Sequence, residues 1–204
     1  MAQAIILRRR KLGKTSTEAI AKLSEGKIAV LRNDAILPFA PLYIRWGCTS
    51  NVPAQNVLNT AKAIHTVNNK TEFRKILNNY SLCPKTWFDP LEIIKHYPVI
   101  VRPEYHAQGR QLYLCNNLHE VFEAWDRIDS KGYISEYIPK VAEYRVFCGS
   151  GRVLCVAQKT PGNPQDIAWN VAKGGRFDNV RWGDWPLSAV STVACTGLLN
   201  LVRC

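Results

Sequence analysis

Hydrophobic positions come in short runs along this chain, and the spacing inside each run predicts an element. The N-terminal residues 2–10 place a short apolar stretch directly before a basic cluster, Arg8, Arg9, Arg10, Lys11 and Lys14. Thr15 or Ser16 is positioned to cap a short helix over 16–23. Residues 28–31 read as a strand. Pro38 and Pro41 interrupt the chain, and a second strand follows at 43–46, closed by a turn at Gly47. Helical spacing covers 58–65 and 70–78, ended by Asn78, Asn79 and Pro84.

A sharper pattern begins at Tyr97. Pro98-Val99-Ile100-Val101-Arg102-Pro103 is a β-branched strand stopped by a proline, a polar loop runs over 106–111, and a second strand returns over 112–115. Residues 118–128 have helical spacing, with Leu118, Val121, Phe122 and Trp125 on one face and Asn116 or Asn117 as cap. Residues 133–138 read as a strand ended by Pro139. Residues 143–147 and 152–158 read as an antiparallel pair joined by Gly149-Ser150-Gly151. The chain then turns irregular, and residues 187–201 look helical.

Composition narrows the class. With 204 residues, 47% hydrophobic and 21% charged, the chain has enough apolar material for a packed core, which argues against global disorder. A net charge of +11 points to polyanionic partners: nucleotide phosphates, nucleic acid or an acidic polymer. The apolar runs are far shorter than the roughly 20 residues a bilayer requires, and the order apolar-then-basic at the N-terminus is the reverse of a secretory signal. A cytoplasmic protein is expected. Seven scattered cysteines without a CxxC pair support neither a disulfide framework nor a zinc site, and several lie in apolar runs, among them Cys148 and Cys155, as small buried hydrophobes would. His65, His96, His106 and His119 show no metal-ligand spacing, although His106 lies in the glycine loop. Trp169, Trp182 and Trp185 interleave with Arg176 and Arg181, a pattern that suits base stacking or ordinary packing.

Three features carry candidate chemistry, and each has a plainer reading. Arg102 ends a strand and precedes a loop containing Gly109; backbone amides and a guanidinium together can grip phosphate, but a strand-ending arginine is also an ordinary surface residue. Ser135-Glu136-Tyr137-Ile138 can offer free backbone groups to the edge of an adenine, or be a plain edge strand. Glu143 and Arg145 share one strand face with Lys159 on the next strand, which suits phosphate and ribose, or a surface cross-strand ion pair.

In order, Pro-Val-Ile-Val-Arg-Pro, the glycine loop, Ile-Ser-Glu-Tyr-Ile-Pro, Glu-Tyr-Arg-Val and Gln-Lys-Thr-Pro resemble the ATP-grasp superfamily. Arg10-Lys11-Leu12-Gly13 with Thr15-Ser16, Ile44-Arg45-Trp46-Gly47, Asn59-Thr60-Ala61-Lys62-Ala63 and Asn69-Lys70 are similar to the ATP-grasp proteins of tailed bacteriophages. The resemblance covers nearly the whole chain and implies an α+β, ATP-grasp fold: a small α/β N-terminal lobe over 1–66 and an ATP-grasp domain over 67–204 with mainly antiparallel sheets. It implies ATP with Mg2+, activation of a carboxylate as an acylphosphate, and attack by an amine. On the matching positions, Lys70, Arg102 and Gly109 would hold phosphates, Glu136, Tyr137 and Ile138 the adenine (with Ile100 and Ile138 stacking on it), and Glu143 the ribose or substrate. Arg145 and Lys159 would be catalytic cations near the acyl or γ-phosphate, and Asn170, Gly174 and Gly175 would form a substrate-proximal loop.

One departure sets a further expectation. Family members continue past the last helix into strands carrying an aspartate and a Glu-x-Asn motif for magnesium, whereas no acidic residue follows Asp184 here. No metal ligand is therefore assigned, the domain is expected to be incomplete at its C-terminus, and turnover is expected to be impaired. The apolar face of the last helix, with Val190, Val193, Ala194 and Leu198, predicts self-association. A contrasting expectation is a non-catalytic basic phage protein that binds nucleic acid or virion components.

Overall fold

The computed structural model describes residues 2–9, 14–52, 56–80, 82–93, 96–149 and 152–186. The helix expected over 187–201, with its apolar face, lies outside the described residues. The chain divides into two compact units, the first ending at Asn68 and the second beginning at Asn69.

The first unit is built on a parallel sheet. Strands β1 (Ala4–Arg8), β2 (Ile28–Arg32), β3 (Tyr43–Trp46) and β4 (Val57–Leu58) lie in the order β2-β1-β3-β4. β1 is central, pairing with β2 on one side and β3 on the other, all in parallel. Its five residues are all buried, which explains an unbroken apolar run from Ala4 to Leu7, before Arg8, where an edge strand would alternate. Ile5, Leu7, Ala40, Tyr43 and Cys48 form the core on one face. Helix α1 (Lys14–Leu23) includes Thr15 and Ser16 in its first turn, so neither is the cap; Thr17 is the residue it buries. Helix α2 (Ala61–Asn68) starts three residues later than its apolar spacing suggested, because Val57 and Leu58 pair as β4 with Tyr43 and Ile44.

The second unit holds two antiparallel sheets and no parallel pair among the described residues. Helix α3 (Lys70–Asn79) leads to strand β5 (Thr86–Trp87), a short 3-10 turn at Pro90–Ile93, β6 (Val99–Pro103), β7 (Tyr113–Cys115), helix α4 (Leu118–Asp126) and β8 (Gly132–Glu136). These four strands form one sheet in the order β5-β8-β6-β7. Val99 and Val101 alternate inward to meet Val121, Ala124, Trp125, Ile128 and Ile134. Asn117 caps α4 by accepting from the Glu120 amide at 2.9 Å, and Glu120 returns to the Asn116 amide at 2.8 Å. Phe122 does not join the apolar face; it is 41% exposed, and Ala124 takes the inward position.

Strands β9 (Glu143–Gly149), β10 (Arg152–Thr160) and β11 (Arg176–Val180) form the second sheet, in the order β11-β10-β9. β11, Arg-Phe-Asp-Asn-Val, pairs along β10 from Val156–Val180 to Thr160–Arg176, although its polar sequence gave no strand signal. Among the described cysteines Cys48 and Cys115 are buried, as expected of small hydrophobes, but Cys155 is exposed because the outward side of its strand carries it to solvent. No described helix is long and apolar enough to cross a membrane.

Candidate functional site

The first cluster grows from β6, β8 and α3. Alternation along β6 sends Val99, Val101 and Pro103 into the core and leaves Ile100 and Arg102 on the other face. Arg102 stands directly across from Tyr133 on β8. The start of α3 is tied to the end of β6: the Lys70 amide donates to the Glu104 carbonyl at 2.7 Å, and the Asn69 side chain caps the helix through the Glu72 amide at 3.1 Å. That tie brings Lys70, and Arg74 one turn later, to the Arg102 face. The Arg74 guanidinium lies over the Tyr133 ring, 5.1 Å from its centre. His106 Nε2 is 2.9 Å from the Tyr133 hydroxyl.

Electrostatics describe the same cluster. Burial, then the charge of Arg102, lowers the Lys70 ammonium below the usual lysine range. Burial also lowers Arg102, with Tyr133 opposing and Arg74 adding to the effect. Burial followed by Arg102, Lys70 and Arg74 drives His106 down to about 4, so its ring is neutral at neutral pH. Arg102 Nε and Arg74 Nη1 are buried without a hydrogen-bond partner. A buried, unpaired N–H on a cation is costly unless an anion completes it. The arrangement is therefore chemically suited to an anion with several oxygens.

The second cluster lies on the β9-β10-β11 sheet. Glu143, Lys159 and Phe177 are in register across the three strands. Glu143 takes Lys159 Nζ at 2.6 Å on one carboxylate oxygen and Lys140 Nζ at 2.6 Å on the other. Burial works against this carboxylate, but the hydrogen bonds and charges of Lys140 and Lys159 outweigh it and hold Glu143 below the ordinary glutamate range. Arg145 stacks on Phe177 at 4.6 Å and Lys159 lies 5.7 Å from the same ring, while Lys140 covers Trp169 at 4.6 Å. Arg145, Lys159, Phe177, Asn170, Val171 and Gln108 line a hollow of ≈ 480 Å³.

A single loop joins the two clusters. It carries His106 to the first and Gln108 and Gly109 to the second. Gly109 has φ +69, and a Cβ there would stand 2.2 Å from Asn170 Nδ2 and 2.9 Å from the Ala168 methyl. Only glycine lets this loop lie so close to the Asn170 segment. That segment is closed on itself, the Asn170 carbonyl accepting from both Lys173 and Gly175, with Gly174 left-handed at φ +80.

Of the residues singled out from sequence, Lys70 and Arg102 thus meet in one cluster and Glu143, Arg145, Lys159, Asn170 and Gly109 in the other, while Gly174 and Gly175 shape the Asn170 turn. The linker after β8 differs from expectation. The Glu136 amide donates to the Lys85 carbonyl at 2.9 Å and the Tyr137 amide to the Pro98 carbonyl at 3.2 Å, so sheet pairing consumes both. The Ile138 amide has no partner among the described residues, and its side chain is 53% exposed. Sequence reasoning passed over Arg74, Tyr133, Lys140, Gln108 and Phe177. Arg74 carried a readable signal, its place one helical turn after Lys70; Phe177 carried none. Among the described residues no three His, Cys, Asp or Glu side chains gather as a metal site, and both oxygens of Glu143 are taken by lysines. These residues do not fit a magnesium ion.

No family model and no curated protein matches the sequence. Solved structures do match. D-alanine–D-alanine ligase from Bacillus anthracis is 14% identical, with a TM-score of 0.65 over 100% of this chain and 80% of that one. The ATP-grasp ligase PsnB, solved with a minimal precursor, is 9% identical, with a TM-score of 0.63 over 98% of this chain and 82% of that one. A RimK domain ATP-grasp protein from Sphaerobacter thermophilus is 14% identical, with a TM-score of 0.53 over 78% and 73%. The chain has an ATP-grasp fold.

Proposed function

We propose that this chain binds ATP in the manner of a ligase that joins a carboxylate to an amine, with its turnover impaired. The observation that carries the reading is Arg102: its buried Nε has no partner, its charge helps to lower the Lys70 ammonium, and the fold is that of ATP-grasp ligases. Lys70 and Arg102 would neutralise the phosphates. The Ile138 amide and the Ile100 and Ile138 side chains are the groups available to an adenine. The carboxylate oxygen would attack the γ-phosphorus, breaking its bond to the bridging oxygen and releasing ADP. The amine nitrogen would then attack the acyl carbon, lose a proton and expel phosphate. Arg145 and Lys159 would hold the phosphoryl oxygens between these steps, with Asn170 and the Gly174-Gly175 turn beside the acyl group. Since the described residues do not fit magnesium, no step is assigned to the ion. In the known structures, PsnB is seen with Mg and ADP, and the Bacillus anthracis ligase with ATP. The division into a small lobe over 1–66 and an ATP-binding part over 67–204 belongs to the same reading.

Calorimetric titration with ATP tests it. Saturable binding that Arg102→Gln weakens supports the reading, and ADP release dependent on a carboxylate and an amine extends it to ligation. Salt-sensitive DNA binding with no effect of nucleotide would favour the nucleic-acid alternative suggested by the +11 charge.

A further inference from the structure

We infer that Arg74 is a third phosphate-binding residue of this site, held in place by the Tyr133 ring beneath it and by His106, which fixes the Tyr133 hydroxyl. The inference rests on the ATP-binding reading above and deepens it. Three observations carry it. Lys70 and Arg74 are spaced four apart on α3, so they share a helix face. Arg102 faces Tyr133 across β6 and β8, and Arg74 stacks on the same ring at 5.1 Å, so one tyrosine is flanked by two guanidinium groups. Both guanidiniums keep a buried N–H without a partner, and no ion pair among the described residues includes either of them.

An arginine stacked on a tyrosine at a protein surface needs no anion. Arg74 differs because it is partly buried and its charge acts on a second partly buried cation, Arg102. Like charges so placed repel each other, and among the described residues no carboxylate pairs with either. A polyphosphate oxygen bound at the accessible part of both guanidiniums would remove the repulsion between them. The guanidinium fork also explains why an arginine suits the position: it can lie over an aromatic ring and still offer several donors to a phosphate. The His106 contact at 2.9 Å and the hydrogen bond with Arg102 keep the Tyr133 ring where Arg74 needs it.

The test compares ATP, inorganic tripolyphosphate and adenosine as ligands of the full chain and of Arg74→Gln, Arg74→Lys and Tyr133→Phe. Circular dichroism first establishes that each variant is folded. Arg74→Gln should weaken ATP and tripolyphosphate binding roughly ten- to a hundredfold and leave adenosine unchanged, the loss of a hydrogen bond to a charged group. Arg74→Lys should recover part of the loss. In the NMR titration of His106, Arg74→Gln should move the midpoint upward, because a neighbouring positive charge has gone; a purely structural loss would not spare adenosine. Tyr133→Phe keeps the ring and should cost ATP affinity less than Arg74→Gln. If Arg74→Gln binds ATP and tripolyphosphate as the parent does, while Arg102→Gln does not, Arg74 has no part in phosphate binding and the inference is overturned on its own. If the parent binds neither ligand, the ATP-binding reading falls and takes this inference with it.

Discussion

His106 and Glu143 titrate in different windows, and each gives a residue-scale prediction. An unfolded histidine takes up its proton near pH 6.5, whereas folded His106 does so only at about 4. Between those values the unfolded chain binds more protons, so folding stability must fall as pH drops through the window. His106→Gln removes that contribution, and urea midpoints measured at pH 7 and pH 4.5 should differ less for the variant than for the parent. Glu143 is held below the usual 4.5 by Lys140 and Lys159 against the cost of burial. Its contribution is present above that value and is lost as pH falls below it. Glu143→Gln should therefore lower stability at neutral pH, and the gap to the parent should narrow in acid. An unchanged gap would mean that the two lysines find no benefit in this carboxylate. The site was partly legible at this scale. Lys70, Arg102, Arg145 and Lys159 could be singled out from the sequence, and Arg74 was marked there only by its place one turn after Lys70; the fold alone reveals the ring beneath it.

The loops and strands pose a different kind of test, because two glycines set how closely elements approach. A Cβ on Gly132 at the start of β8 would lie 2.1 Å from the Arg102 carbonyl oxygen and 2.6 Å from Ile128 Cδ1. Gly132→Ala should cost about 1–3 kcal/mol in urea denaturation, the usual cost of overpacking. Gly109→Ala meets a side chain and a methyl in a loop, so its effect belongs to function. Asn170 must move aside, and ATP-dependent turnover should fall roughly tenfold or more through misplacement of the loop, with a small change in melting temperature. Equal turnover in Gly109→Ala and parent would show that this close approach is not needed for chemistry. Element by element, the hairpin of β6 and β7 and the cap at Asn117 were legible because β-branched runs and an Asn-Asn-x-x-Glu start are local signals. β1 was not, since a short apolar run before basic residues has no period to read until two neighbours bury it. β5 has two residues and β11 is polar; both are strands only because β8 and β10 offer them ladders.

Taken as a whole molecule, the chain on the proposed reading binds its ligand with the second of its two units. Saturating ATP at a hundred times its dissociation constant should then stabilise that unit by about 2.7 kcal/mol. Hydrogen exchange would localise the effect: the amides of α3, β6 and β8 should slow, and the core strands of the first unit should not. Slowing confined to the first unit would place the ligand elsewhere. The position of β1 has a consequence during synthesis. It lies at the middle of its sheet, yet it leaves the ribosome before both β2 and β3, which must flank it. At ordinary elongation rates Ala4–Arg8 therefore waits roughly 2–8 seconds for Trp46 to emerge. Over that interval an unpaired segment with four consecutive apolar residues, Ala4 to Leu7, is an adhesive part of the nascent chain. Its natural companions are a holding chaperone or, in a crowded expression host, the same segment on a neighbouring nascent copy.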